Sequence, residues 1–249
     1  MRILLLGGTT EAGLLARALA DDNADAIYSY AGRTDAPVAQ PLPTRMGGFG
    51  GVAGLQAYLA TEGITHVIDA THPFAARIST NAVLACQATG VPLLALERAP
   101  WLATKGDRWQ HVPDLVSAAD AIGATPRRVF LAIGRQHLDG FAELPQHHYL
   151  LRLVDPPINL PLPDCTVIVA RGPFDAAGDT ALLCDHRIDI VVAKNAGGKG
   201  AAAKIAAART LGLPVIMVAR PHIPERPVVR SVADVMDWVQ SHQSALRGV

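Results

Sequence analysis

A glycine-rich turn near the amino terminus is the first feature that could bind a ligand. Between an apolar run and a helical pattern lie Gly7, Gly8, Thr9, Thr10, Glu11 and Ala12. Glycines at such a turn let the backbone approach a pyrophosphate, and the following helix start offers N–H groups and a positive dipole end. The match to GxGxxG is imperfect, because Thr9 stands at the second glycine. The alternative is an ordinary strand–turn–helix connection that binds no nucleotide.

A basic residue follows the second apolar run, in the segment Ala31-Gly32-Arg33-Thr34. An acidic residue here would bond the ribose 2′-hydroxyl of NAD, whereas an arginine suits the 2′-phosphate of NADP. We therefore assign Arg33 and Thr34 to the cofactor. A surface arginine at a strand end is the alternative, and the nearby Asp35 weakens the pattern.

Four glycines in five positions surround Phe49. Such a segment is either a backbone pressed against a ligand or a tight turn before the next helix. On the first interpretation the Phe49 ring covers an adenine or nicotinamide ring. Gly48, Phe49 and Gly50 are accordingly expected at the cofactor site.

The segment Asp69-Ala70-Thr71-His72-Pro73 ends a predicted strand, where open α/β sheets bind ligands. Thr71 suits a helix N-cap and Pro73 suits a first helical turn. His72 has no such structural explanation, and its ring can bind a carboxylate or pass a proton. We expect Thr71 near the cofactor and His72 in substrate binding and catalysis, with a solvated loop histidine as the alternative.

A second glycine-rich turn, together with basic residues at other strand ends, indicates an anionic substrate. The residues assigned to it are Arg171, Lys194, Asn195, Gly197, Gly198, Lys199 and Arg220. The turn resembles the first in its glycines and helix start, but it does not match the Walker A pattern. Lys204, about one turn further along, is expected to point away. The alternative is a strand–helix turn with solvated lysines.

The composition excludes several classes of protein. Of 249 residues, 50% are apolar and 18% are charged, so the chain can bury a full core. Lys plus Arg and Asp plus Glu both number 22, which gives no electrostatic basis for binding nucleic acid or an anionic membrane. The three cysteines lack metal-ligand spacing, so no metal site is expected. We expect a cytoplasmic protein, since the apolar amino terminus fits a strand better than a signal peptide.

Short apolar strands alternate with helical patterns along the chain, and these elements must position the candidate residues. The predicted strands are 3–6, 26–31, 67–70, 93–96, 129–133, 167–170, 190–193 and 215–218. The predicted helices are 11–20, 53–61, 74–89, 114–122, 174–184, 199–211 and 232–243. This alternation predicts an α/β fold with two Rossmann-like parallel-sheet domains and a cleft between them. We place the boundary near Pro126, with an NADP-binding domain at 1–126 and a substrate domain at 127–249.

Five segments in order resemble the precorrin-6A reductase family of cobalamin biosynthesis. They are RILLLGGTTEA, AGRT, RMGGFGG, DATHPFA and KNAGGKGAAAKIAAARTLGLPVIMVARP. The resemblance spans nearly the whole chain and implies NADPH-dependent reduction of one double bond of precorrin-6A to give precorrin-6B. The implied substrate is a polycarboxylated tetrapyrrole, either metal-free or, for a related activity, cobalt-bound. Its acetate and propionate arms suit the cations of the second half.

Two other functions remain open at this point. One is an NADP-dependent reductase of another substrate, and the other is a sensor that binds NADP without catalysis. The second glycine–lysine turn favours an enzyme, because a sensor of a single nucleotide would not require it. A neutral chain is compatible with a monomer or a homodimer.

We predict a preference for NADPH over NADH that depends on Arg33. Arg33→Ala removes a charge-assisted contact of about 1.5–3 kcal/mol, so NADPH binding should weaken roughly 10- to 150-fold. NADH affinity, measured in parallel titrations, should stay nearly constant. An equal loss for both cofactors would show that Arg33 does not read the 2′-phosphate.

Overall fold

The computed structural model describes residues 1–32 and 37–247, so Arg33 and Thr34 lie outside the described residues. The chain forms two compact units. One consists of Met1–Arg98 and His222–Val249, and the other of Ala99–Pro221. Each unit contains its own six-stranded sheet, and all the strand pairs are parallel. The predicted α/β class with two parallel sheets is confirmed.

The first unit has strand order β12-β5-β4-β1-β2-β3. Its strands are β1 (Arg2–Leu6), β2 (Asp25–Tyr30), β3 (Thr44–Met46), β4 (His66–Asp69), β5 (Leu93–Leu96) and β12 (Val228–Val229). Its helices are α1 (Thr10–Asp21), α2 (Gly51–Thr61), α3 (Ala76–Thr89) and α8 (Val232–Arg247).

The central strand β1 shows why this sheet is covered on both faces. Ile3 and Leu5 belong to a buried cluster with residues of α1 and α8, while Leu4 and Leu6 belong to one with residues of α2 and α3. A strand with apolar side chains on both faces must lie between two helical layers. The continuous apolar run of the sequence therefore fixes β1 in the middle of the sheet.

The second unit has strand order β6-β11-β10-β7-β8-β9. Its strands are β6 (Arg108–Val112), β7 (Arg128–Ala132), β8 (His148–Leu153), β9 (Cys165–Val169), β10 (Ile190–Lys194) and β11 (Pro214–Val218). Its helices are α4 (Leu115–Ile122), a short α5 (Asp139–Ala142), α6 (Ala176–Asp185) and α7 (Ala203–Thr210).

The expected boundary near Pro126 is wrong. The chain passes into the second unit after Arg98 and returns to the first at His222. Strand β6 pairs with β11 in the second sheet, and β12 pairs with β5 in the first. Strand pairing between distant residues decides the division, and the local apolar pattern carries no information about it.

The structure also corrects several element limits. Strands β3, β6, β8 and β12 have no counterpart among the predicted strands; β3 and β12 are very short, and β6 (RWQHV) is a mostly exposed edge strand. Helix α3 begins at Ala76 with Ala75 as N-cap, so Thr71 does not cap it. Helix α7 begins at Ala203, later than the predicted start at residue 199.

Two kinds of feature are absent from the part of the chain that the structure describes. Within residues 1–32 and 37–247, no helix combines the length and apolar character needed to cross a membrane. Nor do the described His, Cys, Asp and Glu side chains form a group of three that could hold a metal ion.

Candidate active site

Strand order in the first unit reverses between β1 and β4. Strands β2 and β3 lie beyond β1, and β5 and β12 lie beyond β4. Parallel α/β sheets bind ligands outside the carboxyl ends of strands at such a switch point. Two predicted motifs follow these strands, and the Thr9 hydroxyl donates to the Ala70 carbonyl at 2.8 Å. The structure thus brings the glycine turn and the β4 exit loop together.

Tyr28 contacts both glycines of the first turn. A Cβ on Gly7 would lie 2.2 Å from the Tyr28 ring, so packing alone requires a glycine at this position. The Gly8 N–H donates to the Tyr28 hydroxyl at 2.8 Å, and burial raises the pKa of that phenol. Gly8 has φ of +116°, which favours glycine, and a Cβ on this residue would meet no atom of residues 1–32 and 37–247 within 4 Å. The space beside Gly8 is therefore open, although its own N–H is already used.

The start of α1 supplies the groups that suit a phosphate. Thr9 is the N-cap, and its hydroxyl accepts from the Ala12 N–H at 3.1 Å. The N–H groups of Thr10 and Glu11 have no intrahelical acceptor, because they lie in the first turn. The Glu11 carboxylate pairs with Arg98 at 3.0 Å, which offsets its negative charge beside the turn. Backbone amides, and not the Thr9 or Glu11 side chains, are thus the available anion donors.

A buried charge network holds the β4 exit loop. The Asp69 carboxylate accepts from the Thr71 N–H at 3.1 Å and from the Thr71 hydroxyl at 2.7 Å. Its other oxygen lies 3.7 Å from Arg226, which also lies 3.3 Å from Glu97. Arg226 is 7% exposed and Asp69 1%, so water screens these charges weakly. The Thr71 hydroxyl and N–H therefore both bond Asp69. Arg226 joins the part of the first unit that follows residue 221 to the ends of β4 and β5.

His72 lies in the same loop, two residues after β4. Its Nδ1 accepts from the Phe74 N–H at 3.2 Å, and the two rings are 5.9 Å apart. A neutral imidazole that accepts at Nδ1 carries its proton on Nε2. The structure accordingly places at the switch point a histidine whose Nδ1 is bonded to the backbone of its own loop.

Phe49 packs against protein groups. The Arg45 guanidinium lies 3.9 Å from the centre of its ring, and Tyr58 meets the ring edge at 5.0 Å between centroids. Arg45 also donates to the carbonyls of Gly47 and Gly48 at 2.8 and 3.1 Å. The segment from Gly48 to Gly50 is thus a turn braced by Arg45. The expectation that Phe49 covers a ligand ring is not supported by this packing.

The second unit has its own switch point, between β7 and β10. Strands β8 and β9 lie beyond β7, and β11 and β6 lie beyond β10. Lys194 is the last residue of β10 and is half-buried, and burial lowers the pKa of its ammonium to about 8. This lysine lies where a parallel sheet presents ligand-binding groups.

The glycine turn after β10 is shaped mainly by packing. The Asn195 amide pairs with the Trp101 backbone, accepting from its N–H at 2.7 Å and donating to its carbonyl at 3.0 Å. A Cβ on Gly197 would lie 2.0 Å from the Ala99 carbonyl oxygen. The Gly198 carbonyl accepts from the Trp101 indole at 2.8 Å. The sequence predicts a substrate role for Asn195, Gly197 and Gly198. In the structure these residues pack against or hydrogen-bond to the segment 99–101.

The remaining predicted cations differ in their surroundings. Arg220 donates to the carbonyls of Asn195 and Ala196 at 2.9 and 3.2 Å, so it stabilises the backbone of the turn. Lys199 is exposed at the turn. Arg171 is 45% exposed and lies 3.9 Å from Asp155. Lys194 and Lys199 are therefore the stronger candidates for contact with an anion.

Comparison with known proteins assigns the family. The family model described as "Precorrin-6x reductase CbiJ/CobK" matches residues 2–240. The chain belongs to the precorrin-6x reductase family. A precorrin-6A reductase of Rhodobacter capsulatus is 63% identical over 100% of this chain and 99% of its own. One from a Sinorhizobium species is 52% identical over 96% and 92%. A solved structure titled "CobK precorrin-6A reductase" matches with a TM-score of 0.94, 63% identity and 97% of both chains.

For this member of the family, sequence motifs alone missed three residues at the first switch point. Tyr28 lies within a strand, and nothing in its neighbours points to Gly8. Arg98 and Arg226 follow no recognisable motif, and Arg226 is 157 positions from Asp69, its ion-pair partner. A cation two residues after β5 was the one available signal, and it applies only to Arg98.

We predict that Tyr28→Phe weakens cofactor binding through the glycine turn. Loss of the hydroxyl removes the acceptor of the Gly8 N–H, at a cost of about 0.5–1.5 kcal/mol in the free energy of unfolding. NADPH affinity should fall several-fold, because the turn is no longer fixed. Tyr149→Phe is the matched control, since it removes another buried hydroxyl, one that donates to the Phe141 carbonyl in the second unit. Equal NADPH affinities in both variants would contradict the role of Tyr28.

Proposed function

We infer that the protein is a precorrin-6A reductase, an enzyme of cobalamin biosynthesis that reduces one double bond of the precorrin-6A macrocycle. The observation that carries this conclusion is the match over essentially the full chain to a relative of that name at 63% identity. The matched chain includes both switch points, so the similarity is not confined to a nucleotide-binding half.

We propose NADPH as the cofactor and the first switch point as its site. The Thr10 and Glu11 amides at the start of α1 would hold a phosphate, and the open space beside Gly8 would admit it. Arg33 and Thr34 would contact the 2′-phosphate. When bound, a reduced nicotinamide supplies a hydride to one carbon of the double bond. One proton, from a side chain or from water, must also reach the other carbon.

His72 is our proposed source of that proton. It lies in the β4 exit loop, which the Thr9–Ala70 bond ties to the glycine turn. The Phe74 N–H at Nδ1 leaves Nε2 as the proton-bearing atom of the neutral ring. The network of Asp69 and Thr71 fixes the backbone from which His72 projects. These residues would orient the donor, while catalysis gains mainly from positioning.

The second unit is the proposed macrocycle side. Lys194 and Lys199 would attract acetate or propionate arms as point charges, and Arg171 would add a third cation. Asn195, Gly197, Gly198 and Arg220 would act indirectly, because their contacts shape the turn that carries Lys199. This proposal keeps the division of labour expected from the sequence but changes the limits of the domains.

Anaerobic incubation with NADPH and precorrin-6A tests the function directly. The decrease in NADPH absorbance should show one NADPH consumed for each macrocycle reduced. A reductase of another substrate would bind NADPH and leave precorrin-6A unchanged. A sensor would bind NADPH and consume none with any macrocycle.

We predict that macrocycle affinity decreases with rising pH because of Lys194. Only the charged ammonium attracts a carboxylate, and a pKa of about 8 means that the free protein loses this charge above pH 8. The dissociation constant should rise by up to about tenfold per pH unit from there. Lys194→Arg keeps its charge and should flatten the profile. The measurement is an anaerobic titration of precorrin-6A between about pH 7 and pH 9.5.

The same protein samples can be titrated with NADPH as a control. Its affinity should not respond to Lys194→Ala. If NADPH binding weakens while macrocycle binding is unchanged, Lys194 belongs to the cofactor site and the assignment of the two units is reversed.

A further inference from the structure

A glycine-rich turn at the carboxyl edge of the first sheet lies next to the end of β2. The turn follows β3, which ends at Met46, and precedes α2, which begins at Gly51. The Gly47 N–H donates to the Tyr30 carbonyl at 3.0 Å, and a Cβ on Gly32 would lie 3.6 Å from the Gly47 backbone. In a dinucleotide site, residues just after the second strand contact the adenosine ribose. The turn therefore lies beside the adenosine end of the proposed cofactor site.

Arg45 is the cation that this turn holds. Its Nη1 donates to the Ser29 hydroxyl and to the Gly47 carbonyl, both at 2.8 Å, and its Nη2 donates to the Gly48 carbonyl at 3.1 Å. The guanidinium also lies 3.9 Å from the centre of the Phe49 ring. Three hydrogen bonds and an aromatic face fix the side chain, so its charge has a defined position before any ligand binds.

The Arg45 guanidinium retains N–H groups for a ligand. Its three acceptors are uncharged, and they use three of the five N–H groups of the arginine. The other two bond no residue in the ranges 1–32 and 37–247. Arg45 can therefore donate two further hydrogen bonds, and a planar guanidinium suits the oxygens of a phosphate.

Gly48 leaves open space beside this cation. It does not have the positive φ of Gly47 and Gly50, so its conformation does not require glycine. A Cβ on Gly48 would meet no atom of the described residues within 4 Å, so packing does not require glycine either. A glycine that neither cause explains favours the close approach of a ligand to the backbone. Because the Gly48 carbonyl bonds Arg45, this space adjoins the guanidinium.

The group that suits this position is a phosphate on the adenosine ribose. NAD carries a hydroxyl at the ribose 2′ position, and NADP carries a phosphate there. A phosphate dianion attracts a guanidinium and accepts two parallel N–H bonds from it, whereas a hydroxyl gains little from a nearby cation. A guanidinium fixed beside the end of β2 therefore favours NADP over NAD.

We propose that Arg45 is a specificity-determining residue of the cofactor site and binds the 2′-phosphate of NADPH. Ser29 and Phe49 act as positioning residues, because they hold the guanidinium. The proposal rests on the proposed function, which supplies NADPH as the cofactor at the first switch point. It gives the turn after β3 a role in recognising charge, and the Phe49 ring supports the cation that does so.

Two adenosine nucleotides isolate this contact from the rest of the cofactor. Adenosine 2′,5′-bisphosphate carries the 2′-phosphate and adenosine 5′-monophosphate lacks it, and each is titrated calorimetrically into the whole protein. Arg45→Gln removes the charge and keeps an amide that can donate to the turn. It should weaken binding of the bisphosphate roughly 10- to 100-fold and leave the monophosphate within about twofold of the wild type. NADPH and NADH should show the same contrast.

Arg17→Gln is the matched control for this substitution. Arg17 is an exposed arginine of α1 in the same unit, so its loss should change neither affinity.

Substitutions of Gly48 provide a second test. Gly48→Asp places a carboxylate in the open space beside Arg45, and Gly48→Asn places a neutral amide of the same shape there. The bisphosphate should bind roughly tenfold more weakly to Gly48→Asp than to Gly48→Asn, because the carboxylate repels the phosphate and competes for the guanidinium. The monophosphate should distinguish the two variants far less.

The outcomes separate this proposal from the proposed function. Absence of precorrin-6A turnover would overturn the reductase function and leave the Arg45 result standing. If the wild type binds NADPH and NADH equally, the NADPH assignment and the role of Arg45 both fail. If the wild type prefers NADPH and Arg45→Gln keeps that preference, only the role of Arg45 is wrong.

An equal loss of affinity for both nucleotides in Arg45→Gln would also overturn the proposal, because Arg45 would then support the turn without contacting the 2′-phosphate. Should Arg45→Gln fail to fold, as judged by circular dichroism, the comparison of Gly48→Asp with Gly48→Asn decides the result.

Discussion

Two adjacent parallel strands whose connections run in opposite directions leave a crevice beyond their carboxyl ends, and both units of this protein have one. In the first unit this occurs between β1 and β4, and in the second between β7 and β10. The glycine turn and His72 follow strands of the first pair, and Lys194 is the last residue of a strand of the second. Their positions depend on strand order more than on any bond that they make themselves. The candidate ligand-binding groups of each unit are therefore a consequence of how its sheet is connected.

Glycine-rich turns at these crevices serve packing as much as binding. Gly7 leaves room for the Tyr28 ring, and Gly197 leaves room for the Ala99 carbonyl. Gly8 differs from them, because its positive φ requires glycine while the space beside it is open. A glycine pattern that matches a phosphate-binding motif thus contains residues with separate physical causes. The motif is useful as a whole, whereas the role of each glycine depends on what its Cβ would meet.

Buried charges connect parts of the chain that are far apart in sequence. Arg226 lies between Asp69 and Glu97 after the chain has returned from the second unit. An ion pair between Arg152 and Asp179 likewise connects β8 with α6. Removing one partner of such a pair leaves an uncompensated charge in a poorly solvated place, which typically costs about 3–5 kcal/mol. The Arg226 contacts thus make the loops after β4 and β5 dependent on the completed fold, and the Arg152–Asp179 pair fixes α6 against β8.

The sequence by itself determined the α/β class, the parallel sheets, most buried strands and the segments that carry candidate cations. These features are predictable because the apolar run of a buried strand and the hydrophobic period of a helix both appear in neighbouring residues of the sequence. Only the tertiary structure decided that β6 joins the second sheet and β12 the first. It also decided that Asn195 pairs with Trp101, 94 positions away. Such partners are chosen by pairing and packing across the folded chain, so local patterns of residue type cannot specify them.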